Sequence, residues 1–258
     1  MELQVKDIRK KYGKKEALKG VSFTLHKGIY GLLGPNGAGK STMMGILTGN
    51  LKATDGTVLW NGANIQKDAV AYRKILGYVP QQQAMYPDFT AKVFLDYMAA
   101  LKGLNKKQAE ERIPYVLNMV DLYDVNENKI KTFSGGMKQR LLIAQGVLAD
   151  PEFLVMDEPT TGLDPKQRTV IRDLIAEISQ NKVILISTHI VSDIENIANE
   201  IMLLKEGCLI KAGKKEEMIK EIPQKINEHT EPDGSLKTDL EKIYLYYFGD
   251  AYEKMHIL

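Results

Sequence analysis

A chain of 258 residues with 44% hydrophobic side chains is long enough to bury a sizeable core, as one domain or as a core with a subdomain. Its 35 basic and 33 acidic residues nearly balance at a net charge of +2 and are scattered, which gives no support to a nucleic-acid partner. The longest unbroken apolar run, residues 243–248, falls far short of the ~20 residues of a bilayer span, and the single cysteine, Cys208, excludes an internal disulfide and a thiolate metal cluster.

The first residues, MELQVKDIRKKYG, show no apolar core followed by a small-residue cleavage site, so the chain is expected to stay in the cytoplasm. KKYGKK, around residue 10, reads as a solvated basic loop. LQVKDI, VSFTLH and TVLWNG alternate as strands of a small antiparallel sheet, with a hairpin turn at Asn61 and Gly62. Residues 29–33, 153–156, 183–187 and 201–204 are short apolar runs separated by helical periodicity, which predicts a mostly parallel sheet flanked by helices.

From about residue 84 to 150 the strand pattern disappears. TAKVFLDYMAALKGL, KKQAEERIPYVLNMVDL and SGGMKQRLLIAQGVLAD read as three helices, separated at Gly103 and Asn105 and ended at Asp150 and Pro151. Beyond about Gly213 the chain becomes charged. PQKINEHTEPDGSLK reads as a flexible connector to a terminal helix that packs Leu240, Ile243, Tyr244 and Tyr247, and Cys208 reads as a small buried hydrophobe.

GPNGAGKST, residues 34–42, fits G-x-x-x-x-G-K-[ST] after a strand and at the start of the helix 40–48. The glycines permit a tight path whose N–H groups point at phosphate oxygens, and the helix N-terminus adds its dipole. Lys40 then reaches the β- and γ-phosphates and Ser41 offers its hydroxyl to Mg²⁺. FLVMDEPTTGLDP delivers Asp157 to the C-terminal edge of a buried strand, where it can hold the metal, with Glu158 beside it as general base toward water. In FSGGMKQR, Ser134, Gly135 and Gly136 open a helix and make a second anion site without a lysine. Two phosphate surfaces on one chain make sense if each nucleotide is sandwiched between two copies.

In this order over residues 1–213, these motifs resemble the nucleotide-binding domain of an ATP-binding cassette (ABC) protein. The resemblance implies an α/β fold: a RecA-like P-loop NTPase core (1–83 and 151–213) with a small antiparallel β subdomain, an α-helical subdomain (84–150) and a C-terminal helical extension (214–258). It implies that Tyr12 stacks on adenine, with packing on the small sheet as the alternative, and that Gly34, Asn36, Gly37, Ala38, Gly39, Lys40, Ser41 and Thr42 line the phosphates. Gln81, favoured over Gln82 and Gln83 by its place after ILGYVP, becomes a metal and catalytic contact. The signature from Ser134 to Met137 meets the partner's ATP, Thr161 to Asp164 matches the D-loop, and His189 after VILIST contacts the γ-phosphate. Asp164, followed by Pro165, also suits a helix N-cap.

Phe133 and Met137 depart from the usual leucine and glutamine of the signature. TGLD is similar to bacterial drug, antibiotic-peptide and ion exporters. The implied protein is an ATPase motor using ATP and Mg²⁺, a dimer of identical or related cassettes docked on separate transmembrane permease subunits at the inner face of the cell membrane. Tyr86, Phe89 and Phe94 either line a groove for a partner helix or pack in the core. A cassette ATPase of iron-sulfur cluster assembly or another remodelling step is the competing reading.

Overall fold

The chain enters through an antiparallel hairpin, β1 (Leu3–Tyr12) and β2 (Lys15–Leu25), and crosses to β3 (Gly28–Leu33), a glycine-rich loop and helix α1 (Lys40–Leu47). β4 (Asp55–Trp60) and β5 (Ala63–Asn64) return to the hairpin and complete a sheet of order β2–β1–β4–β5. Asn61 and Gly62 join these last two strands with φ of +47° and +82°, the left-handed pair that a two-residue hairpin turn requires. The computed structural model describes residues 1–81, 85–223 and 238–249, so Gln82, Gln83 and nearly all of the expected connector lie outside it.

Next come α2 (Ala69–Ile75), β6 (Leu76–Val79) and three helices, α3 (Ala91–Leu101), α4 (Lys106–Met119) and α5 (Gly135–Val147). Each of the three starts on a residue whose side chain accepts from a backbone N–H in the first turn: Thr90, Asn105 and Ser134. β7 (Phe153–Asp157), α6 (Pro165–Ile178), β8 (Val183–Thr188), β9 (Glu200–Lys205) and β10 (Cys208–Gly213) then complete a six-stranded sheet of order β10–β9–β3–β8–β7–β6. Its pairings are parallel except for the β9–β10 hairpin. α7 (Lys215–Met218) and α8 (Asp239–Phe248) follow, and α8 buries Leu240, Ile243, Tyr244 and Phe248.

Period-two alternation sorts the strand side chains between two cores. Ile29, Leu154, Met156, Ile184, Ile186 and Leu203 face the helices α3 to α6, whereas Tyr30, Leu32, Phe153, Val155, Leu185 and Met202 face α1 and the small sheet. A sheet covered on both faces leaves its strand ends as the place for polar chemistry.

Several expectations are corrected. KKYGKK is no loop: Lys10, Lys11 and Tyr12 end β1 and Lys15 begins β2 around Gly13, because both strands run on past the core as a two-stranded ribbon. α2 and β10 were not expected. Phe94 is wholly buried, which removes it from any surface groove, and Cys208 is only half-buried on the edge strand β10. Among the described residues, no helix is long and apolar enough to cross a membrane.

Candidate active site

The loop leaving β3 is shaped by backbone that tolerates no side chain. A Cβ on Gly34 would lie 2.3 Å from the carbonyl oxygen of Leu204, and Gly39, at φ +111°, would place one 2.8 Å from that of Ala17. Lys40, the first residue of α1, is buried, and its Nζ donates to the carbonyls of Gly34 (2.6 Å) and Pro35 (3.4 Å). The same Nζ stands 3.8 Å from Glu158 Oε1. Burial lowers the Lys40 pKa, and the carboxylates of Glu158 and Asp157 partly restore it. The ammonium thus waits among carbonyls and carboxylates that a phosphate would replace.

A cleft of about 400 Å³ lies over this loop and brings Tyr12, Asn36, Gly37, Gly39, Lys40, Ser41, Thr42, Gln81 and Glu158 together. Ala38 is buried behind the loop. The exposed ring of Tyr12 borders the cleft at the far end of the β1–β2 ribbon. Lys15, Ala17 and Pro35 also line the cleft. Pro35 belongs to the loop itself, whereas no sequence motif marks Lys15 and Ala17, because they arrive through the hairpin.

β7 and β8 end side by side, with Asp157 opposite Ser187, and supply the carboxylates. Ser187 Oγ donates to Asp157 Oδ1. Burial pushes Asp157 above the usual carboxylate range, the Ser187 hydrogen bond opposes this, and the neighbouring Glu158 charge adds to it. Glu158 has φ +50°, a left-handed conformation that costs a non-glycine residue of order 1 kcal/mol or more, and its backbone N–H donates to Ser187 O at 2.9 Å. Its Oε2 accepts from Thr161 Oγ1 at 2.8 Å and lies 2.5 Å from His189 Nδ1. Burial alone would raise Glu158, but His189, Thr161 and Lys40 together hold it below its ordinary value. Burial thus disfavours the charged form of Asp157, whereas Glu158 is stabilised as an anion.

Among the described residues, no group of three or more His, Cys, Asp or Glu could hold a metal by itself. One carboxylate (Asp157), one hydroxyl (Ser41) and one amide (Gln81) are hard oxygen donors that fit Mg²⁺ shared with phosphate oxygens.

The N-terminus of α5 is different. Ser134 Oγ accepts from Met137 N at 3.2 Å, a Cβ on Gly135 would meet nothing within 4 Å, and one on Gly136 would strike Gln167 Oε1 at 2.1 Å. None of Ser134, Gly135 and Gly136 lines the cleft, so the structure does not unite the two expected phosphate surfaces within one chain. Asp164 caps α6 by accepting from Gln167 N at 2.9 Å, as its sequence context suggests.

The model of the ABC transporter family matches residues 18–161. The chain is 38% identical over 218 residues to the linearmycin resistance ATP-binding protein LnrL of Bacillus subtilis, covering 84% of this chain and 70% of that one. It is 36% identical over 219 residues to the Nod factor export ATP-binding protein I of Ralstonia nicotianae, covering 84% and 68%. The dimeric structure of a post-hydrolysis state of the ATP-binding cassette MJ0796, bound to ADP and Pi, superposes with a TM-score of 0.73 at 26% identity, covering 82% of this chain and 98% of that one.

Proposed function

Because the chain belongs to the ABC transporter ATPase family, we propose that it is the ATP-hydrolysing motor of an exporter, working as a dimer of cassettes docked on separate transmembrane subunits. It is an ABC transporter ATP-binding subunit and an ATPase with a RecA-like P-loop fold. In the proposed organisation, residues 1–213 form the cassette, with its core in 1–83 and 151–213 and its helical subdomain in 84–150, and residues 214–258 form an extension.

The observation that carries the reading is the grip on Glu158, whose carboxylate is met by His189 at 2.5 Å and Lys40 at 3.8 Å beside an open cleft. In the proposed chemistry Tyr12 stacks on adenine and the backbone N–H groups of residues 34–42 cradle the phosphates. Lys40 leaves the Gly34 and Pro35 carbonyls for the β- and γ-phosphates. Glu158, kept ionised, takes a proton from the attacking water, with His189 and Gln81 orienting the γ-phosphate and that water. Asp157, Ser41 and Gln81 would hold Mg²⁺, which when bound would offset charge on the phosphate oxygens.

Ser134, Gly135 and Gly136 meet the γ-phosphate held by a second cassette, identical or related, so ATP favours the closed pair and hydrolysis removes that bias. The dimeric state reported for MJ0796 supports this arrangement.

For docking, Tyr86, Val93, Tyr97 and Leu101 are exposed along α3 and the segment before it, with Tyr86 stacked on Phe89 at 4.7 Å. Such an apolar strip, which follows Gln81 in the chain, suits a helix of a membrane partner, through which the chain would sit at the inner face of the membrane. Relatives named for export and resistance support the exporter reading over iron-sulfur cluster assembly. Affinity purification of the Glu158→Gln chain with ATP from detergent-solubilised membranes is expected to recover a multi-span membrane protein. Recovery of soluble partners alone would overturn the transporter reading.

A further inference from the structure

The continuations of β7 and β8 are joined by three side-chain contacts in succession. Ser187 Oγ donates to Asp157 Oδ1, and His189 Nδ1 meets Glu158 Oε2. In the third, Thr160 Oγ1 donates to Asp193 Oδ2. The first two belong to the site already described. The third has no part in it so far, yet it is the most deeply enclosed, with Thr160 1% and Asp193 3% exposed.

An aspartate is a costly way to fill this space. Taking a carboxylate out of water costs several kcal/mol unless its oxygens are satisfied, and Asp193 Oδ1 has no hydrogen-bond partner among the described residues. Besides Thr160, only the more distant charges of Arg168, Arg172 and His189 offset that cost, and Val191 and Ile194 of the same stretch are buried apolar residues.

What Asp193 anchors is thin. Between His189 and the rest of the chain lies the single 3₁₀ turn Val191–Asp193. Ile190 N donates to Thr188 Oγ1 at 3.0 Å, Asp193 N to Ile190 O at 3.2 Å, and Arg172 Nη1 to Ser192 O at 2.8 Å. On the opposite side Thr160 lies two residues beyond Glu158, whose left-handed backbone persists only if its surroundings hold it.

We propose that Asp193 is a positioning residue for ATP hydrolysis: its clasp on Thr160 fixes the turn after β8 against the turn after β7 and so keeps the His189 imidazole on the Glu158 carboxylate. The inference rests on the hydrolytic roles proposed for Glu158 and His189.

Steady-state ATPase kinetics of the full chain test the clasp with Asp193→Ala, Thr160→Val, their double variant and Asp193→Asn. Either single disruption should lower kcat roughly ten- to hundredfold with KM for ATP unchanged, since small misplacements of catalytic groups cost that much. The double variant should be no slower than the slower single, because both remove one interaction. Asp193→Asn should recover most of the rate, its amide oxygen still accepting from Thr160. Thr160→Val, nearly isosteric, keeps the test available if Asp193→Ala fails to fold. Unchanged kcat in the disrupted variants, or a loss that asparagine does not restore, would overturn the clasp.

Crystal structures of Thr160→Val and wild type read the same point without turnover. Loss of the 2.5 Å His189–Glu158 contact supports the proposal and its retention contradicts it. A wild-type chain without ATPase activity would count against the roles of Glu158 and His189, and the crystal comparison would still decide the clasp.

Discussion

Two regions of this molecule offer groups for phosphate, and they are built in opposite ways. At the ends of β3, β7 and β8 the charged groups are buried and cross-braced before any nucleotide arrives: Lys40 on its own loop carbonyls, Asp157 on Ser187, Glu158 on His189 and Thr161. At the start of α5, Ser134 caps its own helix and Gly135 faces open space. The first half is pre-organised for chemistry, the second for contact. In the proposed dimer, the half that stands away from the cleft on one chain is supplied by the other.

The largest expected effect lies in the braced half. Glu158→Gln should lower kcat for ATP hydrolysis by about 10²–10⁴, the usual worth of a general base, while ATP binding measured by calorimetry persists. Equal loss of binding would assign Glu158 to structure. Tyr12→Ala should raise KM for ATP roughly ten- to hundredfold with kcat unchanged, as expected for a lost stacking platform. A fall in kcat at constant KM would remove Tyr12 from the base site.

Smaller effects separate stability from chemistry. Ser134→Ala removes the α5 cap and should lower the melting temperature by about 2–4 °C, the equivalent of ~1 kcal/mol in a chain of this size. An unchanged melting temperature would show that the cap contributes nothing. Asp157→Asn should move stability the other way at neutral pH. The folded state holds the Asp157 proton more tightly than the unfolded chain, so wild type loses stability as pH rises from the ordinary value of 3.8 through the raised one. Above that window the asparagine variant, which still accepts from Ser187, should melt higher than wild type, and the gap should close as pH falls back through the raised value. A constant gap would mean that the carboxylate charge is not its cause.

Much of the braced half was legible because its parts are local. The loop 34–42 carries its function in backbone and spacing, and Asp157 and His189 follow apolar runs that could only be buried strands. Hidden were the contacts that fold back. Lys15 and Ala17 reach the cleft through a hairpin whose exposed lysines mimic a loop, and neither the Thr161 hydrogen bond to Glu158, nor Asp193, nor the left-handed backbone of Glu158 carries a sequence signal. α2 was missed because only Tyr72 of its seven residues is buried, and β10 because an edge strand with half-exposed residues lacks a strong apolar pattern.

The composite site is tested most directly by light scattering of the full chain on size exclusion, with ATP and Mg²⁺, comparing Glu158→Gln with Glu158→Gln/Gly135→Glu. The second change enters open space at the first position of a helix, where an acidic residue is favourable, so folding should be intact. It also sets a negative charge where the partner's γ-phosphate would come. A dimer for the single variant and a monomer for the double one is the predicted result, whereas a dimer that forms equally with both would show that the α5 terminus does not complete the site.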